Sequence, residues 1–370
     1  DFATFGRISK NTPFIVLVGE NGSGKSSLLR SLAIALGNKY FDDSFTIDNS
    51  PWIINYSISL NGKTRNFKIT DFKPRVIDQP NIPFACFGPS RLIIDNRKEL
   101  SIENKMGKNK QHPLWSLFYP DAILKDFNKW LVNDFSIKND YEKANSKLLF
   151  ENIKLMLINI IPNLYDIRET LFSNGTQELL YFEEDLNGDQ IEKGVIYEHL
   201  SSGLRSLIAM LGDMMIRLFE QQSEIKDPAE LSGIVLIDEI DIHLHPIWQK
   251  KLPEILSENF PKIQFIVTTH SPIPLLGIPL KSKIYNVSRD KEKGVTIKSL
   301  GYLNISNLLP NTILTSPIFG MDDLISVNNK NISEVNVDDN YEDTKFFELL
   351  DKKMDELSQN EKQFNNKYFS

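Results

Sequence analysis

The stretch Gly19-Glu20-Asn21-Gly22-Ser23-Gly24-Lys25-Ser26 decides the fold of this chain. An apolar run at 13–18 precedes it, and apolar residues recur at helical spacing over 25–36, before Gly37. A strand, a glycine-rich loop and a helix in this order form a phosphate-binding loop, because backbone N–H groups and the positive end of the helix dipole surround the phosphate oxygens. The pattern predicts an α/β fold with a nucleotide site at this loop.

The residue types within the loop predict separate roles. Lys25 is expected to reach the β- and γ-phosphates, and the Ser26 hydroxyl is expected to ligate Mg²⁺. An ordinary glycine-rich turn would account for the glycines but not for Lys25-Ser26 at the start of a helix. The predicted ATP-binding residues of the loop are Gly19, Asn21, Gly22, Ser23, Gly24, Lys25, Ser26 and Ser27.

Composition sets broad limits on the class of protein. The length of 370 residues predicts two or three domains, and 41% apolar residues suffices for a sizeable core. The chain has 42 Lys and Arg and 49 Asp and Glu, which gives a net charge of −7. This charge argues against a generally basic surface that would bind nucleic acid. The lone cysteine, Cys86, excludes an internal disulfide framework and suits a reducing cytosol. With no membrane-length apolar run and no secretory signal, we predict a cytoplasmic protein. The chain opens at Asp1 rather than at methionine, and we expect a further strand to precede it.

Two carboxylates follow a second apolar run. The segment 233–237 is continuously apolar and is followed by Asp238 and Glu239. A strand buried on both faces of a parallel sheet has this composition and carries functional groups at its carboxyl end. We expect Asp238 to support the Mg²⁺ ion and Glu239 to orient and deprotonate the attacking water. A solvated acidic turn after a strand is the alternative reading.

A histidine follows a third apolar run. The strand predicted at 263–267 continues into Thr268-Thr269-His270-Ser271-Pro272. A histidine at this point would lie at the same edge of the sheet, where it could contact the γ-phosphate and respond to its presence. A purely structural histidine is the alternative.

The segment 200–205, Leu-Ser-Ser-Gly-Leu-Arg, precedes an apolar helical stretch at 206–219. One interpretation is a plain helix N-cap. The other is a second phosphate-binding helix end, presented to the ATP of a partner subunit, in which case two chains pair head to tail.

These segments occur in the order found in ABC-type ATPases, namely the loop at 19–26, 200–205, 236–239 and then His270. The segment Leu200-Ser-Ser-Gly-Leu departs from the commonest Leu-Ser-Gly-Gly-Gln signature at two positions, as in the soluble SMC, RecF and OLD-like branch. A more specific resemblance is to the PtuA-like ATPases of Septu and retron-associated antiphage systems. It rests on two segments, Leu-Ile-Asp-Glu-Ile-Asp-Ile-His-Leu-His-Pro-Ile-Trp-Gln at 236–249 and Phe-Ile-Val-Thr-Thr-His-Ser-Pro at 265–272.

The resemblance implies a P-loop NTPase fold with an ABC-type ATPase head and a homodimer that encloses two ATP molecules. Ser201 and Gly203 would contact the γ-phosphate bound to the other protomer, and Asp241 would lie in the D-loop, at the interface of the dimer. The chain shows no HNH nuclease pattern and its tail is too short for the TOPRIM domain of OLD nucleases. We therefore expect any nuclease activity, such as that of an HNH effector, to reside in a separate chain.

Two assignments within the resemblance stay open. His243 and His245 could form a metal pair, but a structural role leading into the helix at Pro246 is favoured. The segment 87–91 occupies the region of the Q-loop but offers Arg91 in place of glutamine. Arg91 would either contact the phosphates or stabilise the loop itself.

The sequence predicts four regions: 1–50 and 199–325 as the two parts of the ATPase core, 51–198 as an inserted lobe, and 326–370 as a linker and helical tail. The lobe should contain a hairpin at 52–70 around Asn61-Gly62, helices at 121–135 and 141–161, and strand segments over 171–195 around Asn187-Gly188.

The lysine-rich segment 101–112 is either a solvated loop or a nucleic-acid contact. An amphipathic helix at 341–357 either packs on its own domain or recruits a partner.

The sequence thus favours an ABC-type ATPase that regulates a partner nuclease in antiphage defence. The main alternative is a RecF- or SMC-like ATPase that acts as a DNA clamp in repair or chromosome maintenance. An ATP-locked scaffold that hardly turns over is a second alternative, and a transporter component is disfavoured.

Overall fold

The computed structural model describes residues 12–37, 53–60, 63–70, 82–89, 115–118, 124–136, 140–173, 175–185, 187–242, 244–290, 292, 294–300 and 319. The predictions for Arg91, His243, the lysine-rich segment 101–112 and the tail 326–370 lie outside these residues.

Strands and helices are interspersed along the described part of the chain. The strands are β1 (Phe14–Val18), β2 (Ile53–Leu60), β3 (Lys63–Thr70), β4 (Phe84–Phe87), β5 (Leu164–Leu171), β6 (Gln177–Glu183), β7 (Val195–Ile196), β8 (Gly233–Ile237), β9 (Ile263–Thr268), β10 (Lys283–Asp290) and β11 (Gly294–Ser299). The helices are α1 (Lys25–Gly37), α2 (Trp115–Phe118), α3 (Phe127–Ser136), α4 (Asp140–Ile160), α5 (Ser202–Gln221) and α6 (Pro246–Asn259). Short 3₁₀ helices occupy Tyr197–His199, Pro228–Glu230 and Ile273–Gly277.

A six-stranded sheet forms the centre, in the order β11-β10-β1-β9-β8-β4. All neighbours pair in parallel except β10 and β11, which pair antiparallel. Leu17 pairs with Thr268 and Ile237 pairs with Val267, so β1, β8 and β9 end at the same level. The loops that follow these three strands therefore meet at one edge, the usual place for ligands in parallel sheets.

Both faces of the central sheet are buried, which explains the continuous apolar runs in the sequence. Side chains alternate between the faces along a strand. Ile15 and Leu17 of β1 pack in the cluster that contains Leu29 of α1. Phe14 and Val16 pack on the opposite face in the larger cluster. That cluster includes residues 207–211 and 214–216 of α5 and Leu252 and Leu256 of α6.

Helix α5 is buried along most of its length, since every residue from Ser206 to Phe219 is buried. Within it, Asp213 accepts hydrogen bonds from Arg217 Nε at 2.5 Å and from the backbone N–H of Lys125 at 2.7 Å. Near its end, Gln221 donates to the carbonyl oxygen of Phe84 at 2.8 Å and accepts from the N–H of Phe84 at 3.1 Å. The side chain of Gln221 thus occupies the place of a further strand beside β4, the edge strand of the sheet.

The position of β4 corrects the predicted boundary of the inserted lobe. The range 51–198 contains β4, yet β4 pairs with β8 in the central sheet, with Cys86 opposite Leu236. All four residues of β4 are buried, which is the environment that the run Phe-Ala-Cys-Phe requires.

The rest of that range forms smaller units. Strands β2 and β3 pair antiparallel with Leu60 opposite Lys63, as Asn61-Gly62 predicts. Helix α4 falls at the predicted position, whereas α3 begins at Phe127, six residues after the predicted start of its helix at 121–135. The strand segments predicted over 171–195 begin earlier, because β5 starts at Leu164 and pairs with β6 through a turn at 172–176. Three charged residues within β5 obscure its alternation, which explains why sequence reasoning missed this strand.

Among the helices of the described ranges, none combines the length and the apolar character needed to cross a membrane.

Candidate functional site

The loop between β1 and α1 depends on two glycine conformations. Gly19 has φ +143°, and a Cβ atom there would lie 2.1 Å from the carbonyl oxygen of Val287 in β10. Gly22 has φ +76°, and a Cβ atom there would meet no atom within 4 Å. Only glycine adopts both conformations readily. The loop therefore lies directly against β10 at one end and stays open at Gly22, where a ligand can approach the backbone.

The side chain of Lys25 spans this loop from inside. Its Nζ atom donates to the carbonyl oxygens of Gly19 at 2.7 Å and Glu20 at 2.8 Å, and lies 3.4 Å from Ser23 Oγ. Lys25 is only 3% exposed. Burial lowers its pKa from 10.5 to about 8, although Asp238, Glu239, Asp241 and Glu20 favour the charged form. A buried cation thus lies at the centre of the predicted phosphate site.

Asp238 and Glu239 follow β8 and are joined through Thr268, the last residue of β9. The hydroxyl of Thr268 donates to Asp238 Oδ1 at 2.5 Å and accepts from the backbone N–H of Glu239 at 2.8 Å. Asp238 and Thr268 are 2% and 1% exposed, respectively. Glu239 adopts φ +52°, which is uncommon for a residue other than glycine.

His270 lies between Lys25 and Glu239. Its Nδ1 atom is 3.3 Å from Lys25 Nζ, and its Nε2 atom is 3.7 Å from Glu239 Oε1. Because an ammonium group can only donate, Nδ1 accepts and the neutral ring carries its proton on Nε2, facing the Glu239 carboxylate. Burial and the nearby Lys25 charge lower the pKa of His270, against the opposing effect of the carboxylates, which agrees with a neutral ring.

Asp241 is fixed by the residues on either side of His270. The hydroxyl of Thr269 donates to Asp241 Oδ1 at 2.6 Å and accepts from the N–H of Ser271 at 3.0 Å. Gln249 in α6 donates to the carbonyl oxygen of Asp241 at 3.2 Å and accepts from Ser271 Oγ at 3.3 Å. The turn after β8, predicted as the D-loop, is therefore tied to the histidine turn after β9.

The signature segment, 200–205, is held by local hydrogen bonds at the start of α5. Ser201 is the N-cap of α5, and its side chain accepts from the N–H of Leu204 at 3.4 Å. Tyr197 donates its hydroxyl proton to the carbonyl oxygen of Arg205 at 2.8 Å, which fixes the preceding turn to the helix. Within the described residues, no hydrogen bond joins Ser201 or Gly203 to the phosphate loop. The capping role is thus observed, and contact with a nucleotide across a dimer stays a prediction.

His245 has the favoured structural role, since it is the N-cap of α6 and its ring accepts from the N–H of Ile247 at 3.5 Å. Over the described part of the chain, no three His, Cys, Asp or Glu side chains group in a way that could hold a metal ion. A Mg²⁺ ion that is carried on nucleotide phosphates needs only one or two protein ligands. The buried Asp238 carboxylate and the half-buried Ser26 hydroxyl are hard oxygen donors of the kind that Mg²⁺ prefers. The residues therefore fit a nucleotide-bound Mg²⁺.

Two kinds of sequence comparison show which known proteins this chain resembles. Residues 108–273 match the family model described as AAA domain, putative AbiEii toxin, Type IV TA system. The Septu protein PtuA of Bacillus mycoides is 30% identical over 337 residues, which cover 85% of this chain. The Retron Vc95 probable ATPase of Vibrio cholerae is 26% identical over 352 residues, which cover 73% of this chain.

The chain is thus similar to the PtuA-like group of ABC-type ATPases. It spans 42% of the length of the Bacillus mycoides PtuA and 67% of the length of the retron ATPase. A solved SMC head domain from Thermotoga maritima aligns with a TM-score of 0.38 at 14% identity, covering 79% of this chain and 91% of that one.

In this PtuA-like chain the structure brings Lys25, Asp238, Glu239 and His270 together, as the sequence predicts. The sequence predicts no role for Thr268, Thr269 or Gln249, although each contacts this cluster or the adjoining turn. The signal for the threonines was present: two hydroxyls at the end of a buried strand need partners, and the neighbouring strand ends in carboxylates.

Proposed function

We propose that this chain binds ATP with Mg²⁺ and hydrolyses it in a head-to-tail homodimer, and that the nucleotide state regulates a separate effector chain. The observation that carries the proposal is the convergence of Lys25, Asp238, Glu239 and His270 at one edge of the parallel sheet. An ammonium group, two carboxylates and a neutral imidazole in contact match the requirements of phosphoryl transfer to water.

Lys25 and the loop backbone bind the phosphates in this proposal. The Lys25 ammonium group has three protons, and the carbonyl oxygens of Gly19 and Glu20 accept two of them at 2.7 and 2.8 Å. The remaining proton faces His270 and Ser23 at longer distances. A phosphate oxygen can replace these weaker contacts while the loop keeps its shape.

Ser26 and Asp238 would hold Mg²⁺. When bound, the ion neutralises charge on the phosphate oxygens. Asp238 is suited to this role because Thr268 fixes one of its oxygens and because it lies beside Glu239. Asn21, Gly22, Ser23, Gly24 and Ser27 would surround the same phosphates with backbone N–H groups and hydroxyls.

Glu239 would act as the general base. It accepts a proton from water as the water oxygen bonds to the γ-phosphorus and the bond to the bridging oxygen of ADP breaks. The Nε2 proton of His270 points towards the same region, so His270 can donate a hydrogen bond to the γ-phosphate. The products are ADP and inorganic phosphate.

Ser201 and Gly203 would complete the site of the partner protomer. Ser201 is exposed, and it lies at the start of a helix whose dipole favours an anion. Because these residues make no hydrogen bond to their own phosphate loop among the described residues, they remain available to a second copy. ATP would then join the two protomers.

The effector is proposed to be a nuclease of the HNH class that acts in antiphage defence in the cytoplasm. This proposal is supported by the relatives, which are named as a Septu protein and as retron ATPases. The nuclease would need a nucleic-acid substrate, which either this chain or the effector would bind.

Hydrolysis and dimerisation are tested with Glu239→Gln. We expect this variant to bind ATP, to lose turnover and to accumulate as a dimer, because the base is removed while the phosphate ligands remain. Glu254→Gln, which changes an exposed carboxylate on α6, is the matched control. ATP turnover and mass in solution are measured with and without Mg²⁺. Equal turnover by Glu239→Gln and the wild type would contradict the assignment of the base.

The effector is tested by purification of the tagged chain from its native operon. We expect a nuclease to copurify in an amount that depends on the nucleotide. Recovery of the chain without any nuclease or retron component would contradict the proposed partner. Salt-dependent duplex binding by the isolated dimer would instead favour a DNA clamp.

A further inference from the structure

The hydroxyl of Thr268 links the backbone of Glu239 to the carboxylate of Asp238 through two hydrogen bonds of fixed direction. The backbone N–H of Glu239 can only donate, so Thr268 Oγ1 must accept there, over 2.8 Å. The single hydroxyl proton of Thr268 is then directed to Asp238 Oδ1 at 2.5 Å. The side chain is 1% exposed, so water does not compete for either bond.

The backbone of Thr268 extends this link to the next residue. Its carbonyl oxygen accepts from the N–H of Ile240 at 3.0 Å. Three hydrogen bonds therefore fix the turn after β8 to one residue of β9. One bond reaches the Asp238 carboxylate, one the Glu239 N–H and one the Ile240 N–H, so each of three consecutive residues is held.

Glu239 needs this support because of its backbone. A left-handed conformation, with φ +52°, is disfavoured for a residue with a Cβ atom and persists where surrounding contacts impose it. That conformation sets the direction in which the Glu239 side chain leaves the turn. The bond from the Glu239 N–H to Thr268 is therefore placed to determine where the carboxylate points.

We propose that Thr268 is the positioning residue of the ATPase site, which orients Glu239 through its N–H group and Asp238 through its carboxylate. The inference rests on the proposed function in that Glu239 is taken as the base and Asp238 as a metal ligand. Thr268 acts through these two residues and does not itself contact the nucleotide.

Three substitutions separate the hydroxyl from the volume of the side chain. Thr268→Val keeps the shape and removes both side-chain hydrogen bonds. Thr268→Ala removes the same hydroxyl and leaves more space, and Thr268→Ser restores the hydroxyl. Tyr181→Phe is the matched control, because it removes another buried hydroxyl that donates to Asn128 Oδ1 at 2.6 Å, outside the site.

The first measurement is steady-state ATP hydrolysis together with nucleotide affinity. We expect Thr268→Val and Thr268→Ala to lower kcat about 10- to 100-fold, the usual effect of losing a partner of a metal ligand, with a smaller change in ATP affinity. Thr268→Ser should recover most of the activity, and Tyr181→Phe should leave kcat unchanged. Unchanged kcat in folded Thr268→Val, or no recovery in folded Thr268→Ser, would overturn the proposal.

The second measurement does not depend on turnover. In Thr268→Val, hydrogen exchange should accelerate at the amide of Glu239 but not at the amide of Ile240, whose acceptor is the backbone carbonyl oxygen of residue 268. Equal exchange of the Glu239 amide in wild type and variant would overturn the positioning role. A wild type that binds ATP without hydrolysing it would contradict the proposed ATPase activity, and the exchange rates would still decide the role of Thr268.

Discussion

The Nδ1 atom of His270 lies 3.3 Å from the Nζ atom of Lys25, although 245 residues separate them in the chain. The pairing of β1 with β9 produces this contact, because both strands end at the same edge of the sheet. The other ring nitrogen faces Glu239 at 3.7 Å. The proposed phosphate ligand, phosphate sensor and base therefore interact electrostatically before any nucleotide binds.

Replacement of His270 should affect hydrolysis more than binding. We expect His270→Ala to lower kcat about 100-fold, since one preorganised hydrogen-bond donor to the developing charge is lost. ATP affinity should fall less, because Lys25 and the loop backbone remain. His199→Ala, which changes an exposed histidine in the 3₁₀ helix before α5, is the control. An equal loss of affinity and kcat would show that His270 acts in binding instead.

Acid should destabilise the wild type through His270. Its pKa in the folded chain lies below the ordinary 6.5 because of burial and of Lys25. The unfolded chain therefore binds more protons as the pH falls below about 6.5, and stability is lost towards the lower folded pKa. Thermal unfolding from pH 8 to pH 5.5 should show a smaller loss for His270→Gln than for the wild type. Parallel curves would argue against a neutral, partly buried ring.

Alkaline pH should stabilise the wild type through Lys25. The pKa of Lys25 is about 8 in the folded chain and 10.5 ordinarily, so between these values the unfolded chain carries more protons. Stability relative to Lys25→Met should therefore rise as the pH increases from 8 to 10.5. Chemical denaturation of both proteins at several pH values measures the difference. A difference that is independent of pH would contradict the lowered pKa.

Two glycines of the loop should respond differently to a methyl group. Gly22→Ala carries only the conformational cost of its positive φ, about 1 kcal/mol, because the space around it is open. Gly19→Ala adds a clash with the carbonyl oxygen of Val287 and should cost several times more. The free energies of unfolding of the two variants test this order. Equal values would mean that β10 moves away from the loop without cost.

The buried ion pair in α5 should be costly to break from one side. Arg217→Met leaves Asp213, which is fully buried, without its cationic partner, and should cost about 3–5 kcal/mol. Asp213→Leu combined with Arg217→Met should be closer to the wild type in stability, because no unpaired charge remains. Urea denaturation of the single and double variants tests this. A double variant less stable than Arg217→Met would indicate that the bond from Lys125 to Asp213 dominates.

Much of the site could be predicted because it depends on order along strands. Lys25, Asp238, Glu239 and His270 each follow or adjoin an apolar run, and parallel strands bring such positions to one edge. For Thr268 the sequence could indicate only that a buried hydroxyl needs a partner, because the identity of its partners depends on the register between β8 and β9 and on the direction of the hydroxyl. No periodic pattern in one chain encodes either quantity.

The fold was less predictable where sequence signals are short or mixed. Strand β4 has four residues, and its place beside β8 depends on a pairing with residues about 150 positions away. Strand β5 was missed because charged residues interrupt its apolar side. The strands with continuous apolar runs, β1, β8 and β9, and helix α4 were, in contrast, correctly located.

The burial of Cys86 has a practical consequence for testing whether two protomers approach each other as proposed. Its thiol is inaccessible in β4, and burial raises its pKa, so it resists alkylation by maleimide reagents in the folded protein. Since the chain has no other cysteine, the wild-type sequence already serves as a background for site-specific labelling. A fluorophore on a cysteine introduced at an exposed position of α6, such as Glu254, would report the separation of two protomers by energy transfer while ATP is added and consumed.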